Sequence, residues 1–114
     1  MSKTASEEVI RSMLPVLDDF ERAVSAFDKT DNKAQSSFAE GVILIYSKFK
    51  NILQQKGLKA INSIGEPFDV DYHDALTTIP APSEELKGKV VDEIEKGYML
   101  ADKVIRHAKV VVGS

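Results

Sequence analysis

The densest group of side chains that could do chemistry lies between Asp69 and Asp74. Three carboxylates and one imidazole, from Asp69, Asp71, His73 and Asp74, fall within this stretch, and carboxylate oxygens and imidazole nitrogens are common metal ligands. Their spacing matches no calcium loop or zinc motif, and acidic turns more often cap helices, so we expect no metal here. A small hydrolase that uses His73 with Asp71 or Asp74 is the enzymatic alternative.

A second group is basic and comprises Lys103, Arg106, His107 and Lys109. A general base needs an orienting partner and a pocket, and the sequence indicates neither for His107. On a single strand, Lys103, Ile105, His107 and Lys109 would share one face, and Arg106 would lie on the other. This predicts an exposed ribbon with positive groups on both faces. The run holds no aromatic residue on which a base could stack, so an acidic protein surface is its more natural partner.

Composition excludes several other classes of function. The 114 residues include no cysteine, and their net charge is -3. Thiolate nucleophiles, disulfides and cysteine zinc sites are therefore excluded, and a dedicated nucleic-acid binder is disfavoured. No phosphate-binding glycine loop or nucleophile elbow is present. We expect no catalytic residue and no cofactor. The sequence shows no signal peptide and no apolar run long enough to span a membrane, which predicts a cytoplasmic protein.

The first element that positions these residues is an amphipathic helix. One apolar seam runs along it at alternating steps of three and four residues: Ile10, Met13, Leu17, Phe20, Val24 and Phe27. A proline inside a helix costs about 3 kcal/mol, whereas each large apolar side chain contributes roughly 1.5 to 3 kcal/mol when buried. We therefore predict a kinked but continuous helix through Pro15. The alternative is two shorter helices that meet at Leu14.

The second helix repeats the pattern. The polar residues 28–34 predict a loop between antiparallel helices, and Asn32 with Gln35 could form a capping box. The apolar face that follows contains Phe38, Val42, Ile45, Phe49 and Ile52. Gly57 stands where a left-handed cap would end the helix.

Two helices with broad apolar faces cannot cover each other completely. We therefore expect residues 1–57 to be a helical dimerisation region, in which two helix pairs form the four-helix bundle of a homodimer. The alternative is a monomer in which the carboxy-terminal half folds back over the helices.

After Gly57 the hydrophobic period changes from helical to alternating. Strands are predicted at 58–63, 75–79, 89–95, 98–101 and 103–112, with one helical turn at 69–74 capped by Asp69. The predicted core is Ile61, Phe68, Leu76, Val90, Ile94, Leu100, Ile105 and Val110. The expected fold class is α+β: a helical hairpin that forms a dimeric four-helix bundle, then a small, mostly antiparallel β domain at 58–114.

Several of these segments carry a family likeness. The residues that carry it are Leu14 to Leu17, Glu21 to Ala23, Glu40 and Gly41, Phe68 and Asp69, His73, Ala75 and Leu76, Gly97 and Tyr98, Asp102, Ile105 and Arg106, Ala108, Val110 and Val112. In this order and spacing they resemble the GrpE family, the nucleotide exchange factors of DnaK-type chaperones. The likeness covers nearly the whole chain.

The resemblance implies a homodimer without enzymatic chemistry. One β domain and the adjoining bundle would bind the ATPase domain of the chaperone and favour its open nucleotide cleft, so that ADP leaves. The resemblance aligns Gly41, Phe68, Lys103 and Val112 with chaperone contacts, although Phe68 and Val112 could equally be core residues. His73 and Arg106 match the signature with structural roles. The remaining alternative is a structural dimerisation adaptor that has no effect on nucleotide.

Two features depart from the family pattern. Val70 stands where the family usually has proline or one of a small set of other residues, which would loosen the turn slightly. The long paired helix of such proteins is represented only by the turns before Pro15. We therefore expect a shortened form that keeps the bundle, the β domain and exchange activity, but loses what the long helix contributes to substrate release or heat sensing.

Overall fold

The computed structural model describes residues 3–28 and 36–114. The chain divides into two compact units, residues 1–56 and 57–114. The described part of the first unit contains two helices, and the second contains six strands. Three of the four strand pairings are antiparallel. The predicted α+β class is therefore confirmed.

Helix α1 spans Lys3–Asp28 and continues through Pro15. The prediction of one continuous helix is confirmed, and the alternative of two helices that meet at Leu14 is wrong. The buried residues of this helix are Ile10, Leu14 and Leu17, with Leu14 0% exposed. Because steps of four and three residues keep one side of a helix, Leu14 takes the inner position that the predicted seam gave to Met13, which lies at the surface of the single chain.

Helix α2 spans Ser36–Gln55 and packs antiparallel to α1. Phe27 lies edge-on to Phe38, with ring centroids 6.2 Å apart. Further from the connection, Phe20 lies 6.0 Å from Phe49 and 6.3 Å from Tyr46. Each step back along α1 thus meets a later residue of α2. The predicted capping box at Asn32 and Gln35 lies outside the described residues, as does the predicted loop except Asp28, which ends α1.

The second unit contains two three-stranded sheets. In the first, β4 (Tyr98–Leu100) lies between β1 (Leu58–Ala60) and β5 (Lys103–Arg106), and both pairings are antiparallel. In the second, β6 (Ala108–Gly113) lies between β2 (His73–Ile79), which is parallel to it, and β3 (Val90–Glu95), which is antiparallel. The strand ends differ from the predicted ones by at most three residues, apart from the division of the last strand.

The core of this unit is centred on β6. Val90, Ala108, Val110 and Val112 form a buried cluster, and Phe68 packs against it. The predicted core residues Val90, Ile105 and Val110 are buried, whereas Leu76 and Ile94 are 55% and 59% exposed, so their prediction was wrong. Both lie on edge strands at register irregularities, between Ala75 and Thr77 and between Glu93 and Glu95. A bulge turns the extra residue out of the alternation that placed it inside.

Two local predictions in the second unit also need correction. The predicted strand 103–112 is two strands, because the chain leaves one sheet at Arg106 and enters the other at Ala108. The common exposed face predicted for Lys103, Ile105, His107 and Lys109 is therefore absent, and Ile105 is buried. The predicted helical turn at 69–74 ends at Tyr72, because His73 and Asp74 already belong to β2.

Candidate functional site

The acidic turn is closed by hydrogen bonds between its own residues. The Asp69 carboxylate accepts a hydrogen bond from the Asp71 backbone N–H at 2.9 Å, which is the predicted capping role. The Asp69 carbonyl accepts the backbone N–H groups of Tyr72 and His73 at 3.0 and 2.9 Å. In return, the Asp69 backbone N–H donates to His73 Nδ1 at 3.0 Å. These bonds bring both ends of the turn together.

His73 is buried, only 4% exposed, and stacks on Phe68 with ring centroids 5.9 Å apart. Because Nδ1 accepts a hydrogen bond, Nε2 carries the proton of the neutral ring. Among the described residues, Nε2 has no hydrogen-bond partner. The hydrogen bond to the Asp69 backbone and the stacking on Phe68 fix the orientation of this imidazole.

Arg106 joins the two sheets of the second unit. Its guanidinium donates from Nε and Nη2 to the Lys96 carbonyl at 2.9 and 2.7 Å. Its Nη1 pairs with Glu95 at 2.9 Å, and Lys109 binds the other oxygen of that carboxylate at 3.1 Å. The guanidinium carbon also lies 5.4 Å from the centre of the Tyr98 ring. The planar, five-donor guanidinium suits this arrangement, which we call the Arg106 clamp.

The clamp corrects the picture of an exposed basic ribbon. Arg106 is half-buried and neutralised by Glu95, and Lys109 is paired with the same carboxylate. Lys103 is exposed at the start of β5 and lies opposite Leu100 of β4, where the strands are joined by a turn at Ala101 and Asp102.

The four predicted chaperone contacts lie in different settings. Gly41 is exposed on α2, and a Cβ built there would meet no atom within 4 Å outside its own helical turn. Lys103 is exposed, and Phe68 is half-buried. Val112 is 8% exposed and belongs to the core cluster. This setting favours the alternative role of Val112 as a core residue.

The helices present apolar side chains to solvent in the single chain. On α2, Phe38, Ile45 and Ile52 recur every seven residues and are 70%, 57% and 48% exposed. Val9, Met13 and Val16 form a similar exposed stripe on α1. We call these two stripes the open helix faces. Large apolar faces of this kind usually mark an interaction surface.

The remaining predicted bundle residues lie closer to the contact between the helices. Phe20, Val24 and Phe27 of α1 are half-buried, as are Val42 and Phe49 of α2. Only Ile10 and Leu17 of the predicted set are buried in the single chain.

A polar contact ties the two helices together at Tyr46. Its hydroxyl donates to Glu21 Oε1 at 3.2 Å, and Lys50 Nζ lies 5.8 Å from the centre of its ring. Burial raises the pKa of Tyr46 to about 12, helped by the negative charge of Glu21 and by the hydrogen bond to it. The phenol therefore stays protonated over a wider pH range than a free tyrosine.

The described residues contain neither a cluster of metal ligands nor a membrane-spanning helix. In ranges 3–28 and 36–114, no three side chains of histidine, cysteine, aspartate or glutamate are placed to hold a metal ion. No helix within the same ranges is both long and apolar enough to cross a bilayer.

Sequence reasoning missed three features that matter for the site. The predicted seam lacks Leu14, although Leu14 follows Ile10 by four residues and this spacing indicates the same side of the helix. The Arg106 clamp had no signal beyond the match of Arg106 to a signature, because Glu95 and Lys96 are brought to it by strand pairing. The surface beside His73 also had no local signal, because Tyr72 and Met99, which line it, are far apart in the sequence.

Known proteins match this chain along its length. The GrpE family model matches residues 1–114. A "Protein GrpE" from Bacteroides thetaiotaomicron is 53% identical over 107 residues, which is 94% of this chain and 54% of that protein. One from Porphyromonas gingivalis is 52% identical over 111 residues, covering 97% of this chain and 56% of that protein. One from Chlorobaculum parvum is 40% identical over 112 residues, with 96% and 58% covered.

The chain thus spans about half the length of these curated relatives. A match over residues 1–114 and identities of 40 to 53% establish the family, and the chain belongs to the GrpE family.

Proposed function

We propose that this chain is a nucleotide exchange factor that binds the ATPase domain of a DnaK-type chaperone and promotes the release of ADP. The observation that carries this proposal is the GrpE family match over residues 1–114. The interpretation needs no catalytic group in this chain. A protein that binds the open nucleotide cleft better than the closed one shifts the chaperone toward the open state, and ADP leaves from that state. Reciprocally, bound nucleotide must weaken the binding of this chain.

The proposed contact residues are Gly41 in the first unit and, separately, Lys103 and Phe68 in the second. Gly41 offers a bare stretch of helix on which another protein can approach closely. Lys103 supplies an exposed cation for an acidic surface. Phe68 supplies a half-buried ring at the edge of the core. We assign Val112 a supporting role, because its side chain lies in the core cluster against which Phe68 packs.

We also propose that two copies associate through the open helix faces. Each exposed Phe, Ile or Val that becomes buried contributes roughly 1.5 to 3 kcal/mol, and two helix pairs of this kind can close a four-helix bundle. Replacing Ile45 by glutamate should place a charge in that interface and shift sedimentation toward the monomer. Replacing Ile64 by glutamate is the control, because Ile64 is also exposed but lies in the second unit. This variant should keep the sedimentation mass of the native chain. A native chain that sediments as a monomer at high concentration contradicts this part of the proposal.

The exchange proposal is tested by the release of fluorescent ADP from a DnaK-type ATPase domain. Adding the full chain should accelerate release, and Lys103→Glu should require a higher concentration for the same effect because it places a carboxylate against an acidic surface. Lys59→Glu is the matched control, since Lys59 is an exposed lysine of the same sheet.

The same experiment separates the exchange factor from the dimerisation adaptor. An adaptor without exchange activity would leave the release rate unchanged at every concentration while remaining dimeric. Equal losses for Lys103→Glu and Lys59→Glu would contradict the proposed contact at Lys103, although not exchange itself.

A further inference from the structure

The second unit contains a cleft of about 730 Å³ beside the turn that holds His73. Its wall is mostly apolar and includes Ile61, Phe68, Tyr72 and Met99. Val70, which also lines it, is 70% exposed. Concave sites of this size with aromatic walls suit one or two large apolar side chains.

The charge of the cleft has one sign. Glu66 and Asp69 line it, and both are exposed. No lysine or arginine is among its lining residues, all of which lie in the described part of the chain. An occupant with a cation next to its apolar group would therefore meet complementary charge.

His73 also lines the cleft, but its side chain is only 4% exposed and its Nε2 is buried. The ring stacks on Phe68 and so supports the cleft wall. It does not offer an occupant a hydrogen bond.

The cleft also borders an open strand edge. Ala60, at the end of β1, lines it, and β1 is at the edge of its three-stranded sheet. An edge strand presents backbone N–H and C=O groups to which an extended chain can bind.

We propose that this cleft binds an extended peptide segment that carries a large apolar side chain next to lysine or arginine. The apolar side chain packs against Phe68, Tyr72 and Met99, and the cation lies near Glu66. The backbone of the segment lies along the edge of β1 and forms hydrogen bonds there. This activity goes beyond nucleotide exchange, because it requires neither a chaperone nor a nucleotide, and its test uses neither.

The test follows the amide resonances of the isotopically labelled full chain during titration with short peptides. The probe is acetyl-Leu-Arg-Leu-Arg-amide. Acetyl-Ser-Arg-Ser-Arg-amide keeps its charge without the apolar groups, and acetyl-Leu-Glu-Leu-Glu-amide reverses its charge. We expect saturable shifts at Asn62, Val70 and Met99 with the first peptide, at a dissociation constant on the order of 1 mM. The other two should bind more weakly.

Two variants locate the site without disturbing the core. Glu66→Gln removes an exposed charge and should weaken binding about two- to fivefold, the effect of one exposed ion pair. Val70→Ser removes an exposed apolar contact and should weaken it by about threefold or more. The matched controls are Glu85→Gln and Ile94→Ser, since both residues are exposed and neither lines the cleft.

Three results would overturn the proposal. The first is the absence of saturable shifts at the cleft residues. The second is equal binding of the serine peptide, which would indicate a purely electrostatic surface. The third is binding by Glu66→Gln and Val70→Ser that matches that of the two controls. None of these results bears on ADP release, so the exchange proposal is judged separately.

Discussion

Replacing Gly41 is expected to change stability and exchange in opposite directions. Gly41 lies inside α2, and a Cβ built on it meets no atom within 4 Å outside its own turn. Glycine inside a helix is about 0.5 to 1 kcal/mol less favourable than alanine. Gly41→Ala should therefore raise the free energy of unfolding by about that amount. For a chain of this size, this corresponds to an increase in Tm of about 2 to 6 °C.

The same position is proposed to contact the chaperone, where an added side chain would obstruct close approach. Overpacking of a tight contact typically costs about 1 to 3 kcal/mol, which weakens affinity by about fivefold to 150-fold. Gly41→Gln tests this with a larger side chain that still favours helix. Its ADP-release curve should shift to higher concentration, while its Tm does not fall.

Circular dichroism during heating and stopped-flow release of fluorescent ADP measure the two effects, and sedimentation shows whether the dimer persists. Ser47→Gln is the matched control, because Ser47 is exposed on α2 and is separated from Gly41 by about 120° around the helix axis. A Gly41→Gln variant that sediments like the native chain and releases ADP at the same concentrations would refute the assigned role. A lower Tm for Gly41→Ala would refute the structural reasoning.

Three further predictions concern stability. A Cβ on Gly97 would clash with the Ala108 backbone nitrogen. Gly97→Ala should therefore lower the unfolding free energy by about 1 to 3 kcal/mol in urea titrations, unlike Gly41→Ala. Equal stability would contradict this packing. Arg106→Met removes the Arg106 clamp, including its two hydrogen bonds to the Lys96 carbonyl, so we expect a loss of about 2 to 4 kcal/mol in the same assay. A loss below about 0.5 kcal/mol would refute the role of the clamp. Folding raises the pKa of Tyr46 from 10.0 to about 12, so its contribution to stability is complete below pH 10 and is lost as the pH rises toward 12. Urea midpoints measured between pH 9 and about 11 should therefore fall more steeply for the native chain than for Tyr46→Phe. Parallel curves would contradict the pKa shift.

The helices and most strand positions could be predicted from the sequence because they depend on local patterns. The period of the apolar residues was strong enough to carry α1 through Pro15, which confirms that packing outweighs one lost backbone bond. The same period left Leu14 and Met13 ambiguous, since either fits one step of a seam. Which residue lies inside depends on the neighbouring element.

The errors in the β unit have a common physical origin. Leu76 and Ile94 fit an alternating pattern, but bulges on edge strands turn them outward. The run that contains His107 looked like one strand, yet the chain changes sheets there. Bulges and sheet changes are set by pairing between distant strands, so a local period cannot predict them.

The candidate site was predicted only in part, for a similar reason. The resemblance to the family directed attention to Gly41, Phe68 and Lys103, whose functional roles stay predictions. The cleft beside His73 was not predicted, because its lining residues Ala60, Tyr72 and Met99 are far apart in the sequence. Spacing along the chain gives no indication of that proximity.

The most direct test of the account is the rate at which fluorescent ADP leaves a DnaK-type ATPase domain as this chain is added. We expect ADP release to accelerate as the concentration of this chain rises, and to reach a plateau when the chaperone is fully bound. A release rate that stays constant, in a mixture where sedimentation shows the two proteins bound to each other, would contradict it.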